Sequence, residues 1–164
     1  MSQAKAKYFQ SDEYSLMLDV VYTSDSSVYT ILFDSIFYDG GIVVKKHFQK
    51  GSFRYSVHPF STKSVNPFQE KGVAIQLKNG TSMINDTVSA RYFENKFTPG
   101  YAKIAQVDVT EEEFRLFCEN EVEWIRVGAE VVYFDKWQRK LMINIFRNIW
   151  NRDSAKPYFQ PRNQ

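Results

Sequence analysis

The sequence predicts an α+β domain: an antiparallel β-meander or small open barrel over about residues 14–109, covered by two C-terminal helices over about 110–127 and 134–150. Short β-rich runs separated by turn signals fill the first two thirds of the chain. From Thr110 the apolar spacing changes to the three and four residues of a helix, and the strand–helix alternation of a doubly wound sheet is missing. Because 164 residues with 43% apolar content suit one core, we assign residues 1–150 to a single domain and residues 151–164 to a flexible or partner-stabilised tail.

Turn signals divide the predicted strands. Residues 15–22 and 28–38 are rich in Val, Tyr, Ile and Phe and flank a polar cluster at 24–27, which predicts a hairpin. Further turns are predicted by Asp-Gly at 39–40, Lys-Gly at 50–51 and Asn-Gly at 79–80. A Pro-Gly pair at 99–100 precedes a predicted strand over 101–109. The secondary structure of residues 88–95 is ambiguous from the sequence. A two-residue turn at 50–51 sets a register that pairs Phe48 with Phe53, His47 with Arg54, Lys46 with Tyr55 and Val43 with His58.

A short internal repeat, Ser-Val-x-Pro-Phe, occupies residues 56–60 and 64–68. Each proline lacks the N–H that a sheet ladder needs and holds the preceding residue extended, so the segment is predicted to be an edge or a loop. In one interpretation the side chains of Phe60 and Phe68 pack beneath that loop and only stabilise the fold. The other presents the same rings to a protein partner, because exposed loops often carry function.

The first predicted helix begins with a capping box. In the segment from Thr110 to Glu113 the threonine hydroxyl accepts from the Glu113 amide, and three carboxylates lie at the positive end of the helix dipole. An apolar stripe at helical spacing continues from Phe114 through Cys118 and Ile125, and Gly128 is expected to end the helix. The second helix has a broad apolar face formed by Phe134, Trp137, Leu141, Met142, Ile145, Phe146 and Ile149.

Most catalytic signatures are missing from the sequence. It contains no P-loop, no dinucleotide-binding glycine motif, no nucleophile elbow and no HExxH motif. One Cys and two His cannot supply the usual four zinc ligands, so we expect no metal and no cofactor, and no small-molecule substrate is indicated. The single Cys, the lack of a signal-like segment and the lack of an 18-residue apolar run predict a cytoplasmic or otherwise intracellular protein without a membrane span.

Cys118 is the one candidate for a covalent nucleophile, with His58 or His47 as its base. Its place on an apolar stripe favours a buried structural thiol. The predicted register puts His47 and His58 on one face about 13 Å apart, too far for a shared ligand or an acid–base pair, which favours ordinary polar positions.

The order of strands, Thr-x-x-Glu helix and aromatic segment over about residues 70–150 resembles permuted papain-like hydrolases of the NlpC/P60 type. In that family a strand histidine and a late cysteine form the active site. Here the strand over 71–75 has no histidine, and no cysteine follows Cys118. The resemblance therefore implies an inactive relative.

Charge is segregated along the chain. Residues 40–69 contain five basic and no acidic residues, residues 108–130 contain eight acidic and two basic ones, and residues 131–164 contain seven basic and two acidic ones. Such blocks suit solvated faces, charge-complementary self-assembly, or a nucleic-acid-binding face with aromatic rings for stacking. The residues of the nucleic-acid hypothesis are Lys45, Lys46, Arg54, Lys136, Arg139 and Lys140.

The function that the sequence favours is a non-enzymatic structural or interaction protein, acting through a protein partner or self-association. Aromatic residues make up 16% of the chain and, with Arg, are the types that anchor interfaces. The candidate contact residues are Phe60 and Phe68 of the repeat, and Tyr158 and Phe159 of the tail. The composition also suits a viral or phage accessory protein. A nucleic-acid-binding module and a cysteine-dependent hydrolase are the alternatives.

Overall fold

The computed structural model describes the backbone of residues 3–10, 15–22, 28–36, 39–49, 52–64, 70–94 and 101–151, and side chains within 39–48, 52–63, 70–92 and 102–151. Its elements, in chain order, are β1 (Gln3–Gln10), β2 (Ser15–Tyr22), β3 (Val28–Ile36), β4 (Gly40–Gln49), β5 (Ser52–Ser64), β6 (Glu70–Leu77), β7 (Ser82–Glu94), β8 (Tyr101–Ile104), β9 (Val107–Val109), α1 (Glu111–Glu119), β10 (Val122–Val127), β11 (Glu130–Tyr133) and α2 (Lys136–Asn151).

The strands form one antiparallel sheet that curls into a half-barrel. Its order is β1-β2-β3-β4-β5-β8-β7-β6-β10-β11, and β9 pairs with β5. The curl brings β11 back to the start of β4, where a Cβ on Gly40 would lie 3.2 Å from Val132 Cγ2. The two helices pack on each other and on the inner face of the sheet. The predicted α+β class with two C-terminal helices is confirmed.

The predicted register of the β4–β5 hairpin is confirmed. The ladder pairs Gln49 with Ser52 around the two-residue turn at 50–51, and it pairs His47 with Arg54 and Val43 with His58. Because side chains alternate along a strand, this register fixes which residues of β4 and β5 face the core and which face outward.

The first C-terminal helix is shorter than predicted, and residues 122–133 form a β-hairpin instead. The helix ends at Glu119, because Asn120 is extended and its N–H caps the carbonyl of Leu116. The spacing of Val122 and Ile125 suggested a helix, but it arises from a bulge in β10 between Val122 and Trp124. A bulge inserts one extra residue, so two inward-facing strand residues become three positions apart.

Ser56–Phe60 is part of an interior strand, contrary to the prediction of an edge or loop. β5 pairs with β4 on one side and with β8 and β9 on the other. Pro59 is tolerated there because it lies opposite the interruption between β8 and β9, where its carbonyl accepts from the N–H of Ala105. In a strand the carbonyl and N–H of one residue point the same way, so the missing N–H faces the broken part of the ladder.

Lys46 is a lysine inside the core, with only 2% of its surface exposed. Its Nζ donates to the carbonyl oxygens of Ile149 at 3.2 Å and Trp150 at 3.1 Å, and it lies 4.1 Å from the ring centroid of Phe53. The last carbonyls of a helix have no partner within the helix and carry partial negative charge. Lys46 therefore ties the C-terminal end of α2 to β4.

A second buried lysine, Lys103 on β8, joins three parts of the sheet. Its Nζ is 2.7 Å from Glu70 Oε1 on β6 and 3.8 Å from Glu130 on β11. The shorter contact is a close ion pair between a fully buried ammonium group and a partly exposed carboxylate. The other oxygen of Glu70 accepts from the N–H of Ala129, and these contacts lower the pKa of Glu70.

Candidate functional site

The half-barrel has a split between β7 and β9, which we call the strand fork. β8 and β7 form a ladder over Tyr101–Ile104 and Arg91–Glu94. Beyond this ladder, β9 continues beside β5 and the residues 82–90 of β7 continue beside β6. In the described part of the chain no ladder joins these two stretches, so each keeps one edge of backbone N–H and C=O groups facing the split.

Two local irregularities open the fork. Residues 105 and 106 interrupt the strand that would otherwise run from β8 through β9. On the other side, β7 bulges between its pairs with Val73 and Lys71 of β6, and Asn85 Oδ1 holds the bulge by accepting from the N–H of Thr87 at 3.1 Å and from its hydroxyl at 2.9 Å. Bulges bend strands, so the two strands diverge instead of closing the barrel.

The fork encloses a cleft of about 410 Å³ beside α1. Its inner wall is apolar and consists of Val73, Ile75, Met83, Val107, Val109 and Leu116. Ile84 stands on the outer rim with 63% of its surface exposed. The cleft is thus an apolar groove with unpaired strand edges along it.

The rim of the fork is acidic. Asp108 and Glu113 line the cleft, and its described lining contains no lysine or arginine. Glu113 is held in place by the predicted capping box, in which its N–H binds Thr110 Oγ1 at 3.1 Å and its carboxylate accepts from the Thr110 N–H at 3.0 Å. Asp86, on the bulge of β7, does not belong to this rim, because its exposed carboxylate lies 3.7 Å from the guanidinium of Arg126 on β10.

A second, polar cleft of about 570 Å³ lies on the other side of β9. Lys45, His47, Arg54 and Ser56 form its β4–β5 wall, and Asp108, Thr110 and Glu111 form the opposite wall. Because Lys45 pairs with Ser56 and His47 with Arg54, the hairpin register itself puts two basic side chains and an imidazole on one outward face.

His58 lies on the same outward face but is buried, with 6% of its surface exposed. Its Nε2 is 2.9 Å from Ser56 Oγ, and the two share a hydrogen bond. Burial, followed by the positive charge of Lys45, lowers the pKa of His58 from 6.5 to about 4, while Asp108 opposes the shift. The imidazole is therefore neutral at neutral pH.

Cys118 and the two histidines lie on opposite sides of the sheet. Cys118 is buried in the core between α1 and the inner face, whereas His47 and His58 belong to the outward register of β4 and β5. Burial raises the pKa of the Cys118 thiol to about 11, although Arg147 partly offsets the shift. The structure does not bring together the thiolate–imidazole pair that a cysteine hydrolase needs.

The basic residues of the nucleic-acid hypothesis do not form one surface. Lys45 and Arg54 line the polar cleft, but Lys46 is buried against the end of α2. Lys136 and Lys140 are exposed on α2, on the other side of the sheet. Arg139 is half-buried, with its guanidinium bound to the carbonyl of Phe134 at 2.8 Å and its Nε 3.4 Å from Glu121.

The aromatic contact candidates have different outcomes. Phe60 lies in β5 with 7% exposure, so its ring is part of the packing and is not presented on a loop. Phe68, Tyr158 and Phe159 lie outside the described residues. Exposed apolar side chains that the sequence did not single out include Ile84, on the fork, Tyr92, on β7, and Tyr133, on β11 away from the fork with 71% exposure.

The part of the chain with described residues contains no group of three or more His, Cys, Asp or Glu side chains placed to hold a metal ion. Neither of the two described helices has the length and apolarity needed to cross a bilayer. Comparison with protein-family models, with curated proteins and with solved structures finds no match. The resemblance to NlpC/P60-type hydrolases therefore rests on the order of sequence features alone.

Proposed function

We propose that the protein is a non-enzymatic interaction protein that binds a segment of a protein partner at the strand fork. The observation that carries the proposal is the pair of unpaired strand edges, on β7 and β9, that border an apolar groove. Exposed strand edges are ready templates for pairing with another chain, and an apolar wall beside them adds buried surface to the contact. An accessory role, including the viral or phage setting that the composition suits, belongs to the same proposal.

The surroundings of the fork favour binding over chemistry. The buried thiol and the imidazoles are separated by the sheet, and the Ser56–His58 pair has no carboxylate bonded to the second imidazole nitrogen among the described residues. A catalytic triad needs that third group to orient the base. Binding needs only the groove and its edges.

A selection from a library of random 12-residue peptides, displayed against the full-length protein, tests the proposal. We expect peptides that bind wild type and lose about tenfold in affinity for Ile84→Asn, which replaces an apolar side chain on the rim of the fork with a neutral polar one. Tyr133→Asn is the matched control, because it introduces the same polar residue at a similarly exposed apolar position outside the fork. Failure to enrich any binder, or binders that tolerate both substitutions equally, would refute the proposal.

A second candidate function is binding of a nucleic-acid phosphate backbone in the polar cleft, favoured by the pairing of His47 with Arg54 beside Lys45. It predicts that a labelled single-stranded oligonucleotide binds and that affinity falls steeply between 50 and 200 mM salt. If Arg54→Glu leaves the affinity for the oligonucleotide unchanged, the polar cleft is excluded as the nucleic-acid-binding site.

A further inference from the structure

The inference rests on the proposed function and specifies the chemistry of the bound segment. We propose that the strand fork binds an extended peptide of alternating apolar and polar residues with Lys or Arg at its flanks, which inserts as an additional strand between β7 and β9. Three features of the fork determine these properties: its open edges, its apolar inner wall and its acidic rim.

The open edges select an extended segment. β7 runs antiparallel to β8, and β9 continues in the direction of β8, so the two edges of the fork are antiparallel to each other. An inserted strand is then antiparallel to one edge and parallel to the other, and both arrangements form regular ladders. A helix or a compact loop would leave these N–H and C=O groups without partners, at a cost for each buried group.

The inner wall selects alternation. Side chains of a strand point alternately to the two faces of its sheet. One face of an inserted strand meets the core side of the fork, where Ile75, Met83 and Val107 stand, and the other face meets solvent. Apolar residues at every second position would fill the cleft, and polar residues between them would remain hydrated.

The acidic rim selects the flanks. Asp108 and Glu113 border the cleft, and its described lining has no lysine or arginine to offset their charge. Complementary charge on the peptide increases the association rate and disfavours acidic segments. The acidic block at 108–130, evident in the sequence, thus has its N-terminal end at the mouth of the fork.

Three synthetic peptides test the inference against the full-length protein by fluorescence anisotropy. The first is Lys-Lys-Thr-Val-Thr-Val-Thr-Lys-Lys, the second has Glu in place of every Lys, and the third keeps the lysines but has Pro in place of the central Thr. We expect the first to bind at least about tenfold tighter than the second, because like charges oppose association. The third should bind at least about tenfold more weakly than the first, because proline removes a ladder donor.

Variants locate the charge effect. Asp108→Asn should weaken the lysine peptide about threefold or more at 50 mM salt and reduce its salt dependence, since a rim charge mainly steers association. Glu112→Gln, an exposed carboxylate that does not line the cleft, is the matched control and should leave binding unchanged.

Equal binding of the lysine and proline peptides would mean non-specific attraction of positive charge and would overturn the inference, as would equal binding of the lysine and glutamate peptides. If the library selection yields fork binders without this pattern, the inference fails and the proposed function stands. If the selection yields no fork binders at all, both fail.

Discussion

Gly128 turns the β10–β11 hairpin at the buried Lys103–Glu70 ion pair, and its replacement by alanine should be strongly destabilising. Its φ is +61°, in the left-handed region, and a Cβ there would lie 2.0 Å from Glu70 Oε2 and 2.8 Å from Glu70 Cβ. The backbone conformation alone costs about 1–2 kcal/mol for a residue with a side chain. Displacing Glu70 also removes the closest counter-charge of a fully buried lysine, a change worth about 3–5 kcal/mol.

Because Glu130 remains 3.8 Å from Lys103 and offsets part of that loss, we expect Gly128→Ala to lower the free energy of unfolding by about 3–5 kcal/mol in total. Gly80→Ala is the matched control: its φ is also positive, at +92°, but no atom lies within 4 Å of its Cβ position. Its cost should be about 1–2 kcal/mol. Urea denaturation at pH 7 measures both, and a Gly128→Ala cost no larger than that of Gly80→Ala would refute the reasoning.

Three further predictions concern buried polar groups. Lys46→Met should lower the free energy of unfolding by about 2–3 kcal/mol, because it removes two charged hydrogen bonds to the end of α2. The control Lys45→Met, on the outward face, should cost under about 0.5 kcal/mol. Thermal and urea unfolding compare the two variants. The pKa of His58 is lower in the folded state than in the unfolded state, so its contribution to stability is complete above about pH 6.5 and is lost as the pH falls towards 4. Over this pH range the urea midpoint of wild type should fall more than that of His58→Gln. Parallel pH profiles for the two proteins would contradict this. With its pKa raised to about 11, Cys118 should resist iodoacetamide at pH 8 in the native state and react once unfolded, and rapid native alkylation detected by mass spectrometry would argue against a buried thiol.

The features that the sequence predicted well are those set by local rules. The Lys-Gly turn at 50–51 has a defined loop length, so counting outward from it gave the pairs that the β4–β5 ladder contains. The capping box from Thr110 to Glu113 depends only on residues three positions apart, and both of its hydrogen bonds are present.

The features that the sequence did not predict depend on contacts between distant segments. The bulge between Val122 and Trp124 gives a strand the apolar spacing of a helix, and only its pairing with β6 distinguishes the two. Pro59 suggested an edge strand, because proline lacks a ladder donor. Nothing in the composition of residues 105–106 indicates that the neighbouring strand is interrupted there and can accept the proline. Lys46 and Lys103 have the composition of surface residues, and only the helix end and the Glu70 carboxylate explain their burial.

The candidate site was predicted in part for the same reason. The predicted register paired His47 with Arg54 and Val43 with His58, which puts both histidines on one face, and the ladder contains these pairs. The strand fork was not predicted, since it forms where β7 and β9 fail to pair, and a sequence read strand by strand contains no signal for a missing ladder. The Asn85–Thr87 turn in β7 is the local signal that could have indicated it.

Amide hydrogen exchange of the full-length protein, read residue by residue by NMR, tests the open edges of the fork most directly. Amides along residues 82–85 of β7, where the ladder with β6 is regular, alternate between β6 and the split. Those facing the split should exchange at least about a hundredfold faster than the amides of residues 91–94 that bond β8. Addition of the lysine-flanked peptide should slow the fast set and the split-facing amides of β9. Uniform protection along β7 in the free protein would mean that the barrel is closed there and would contradict the account.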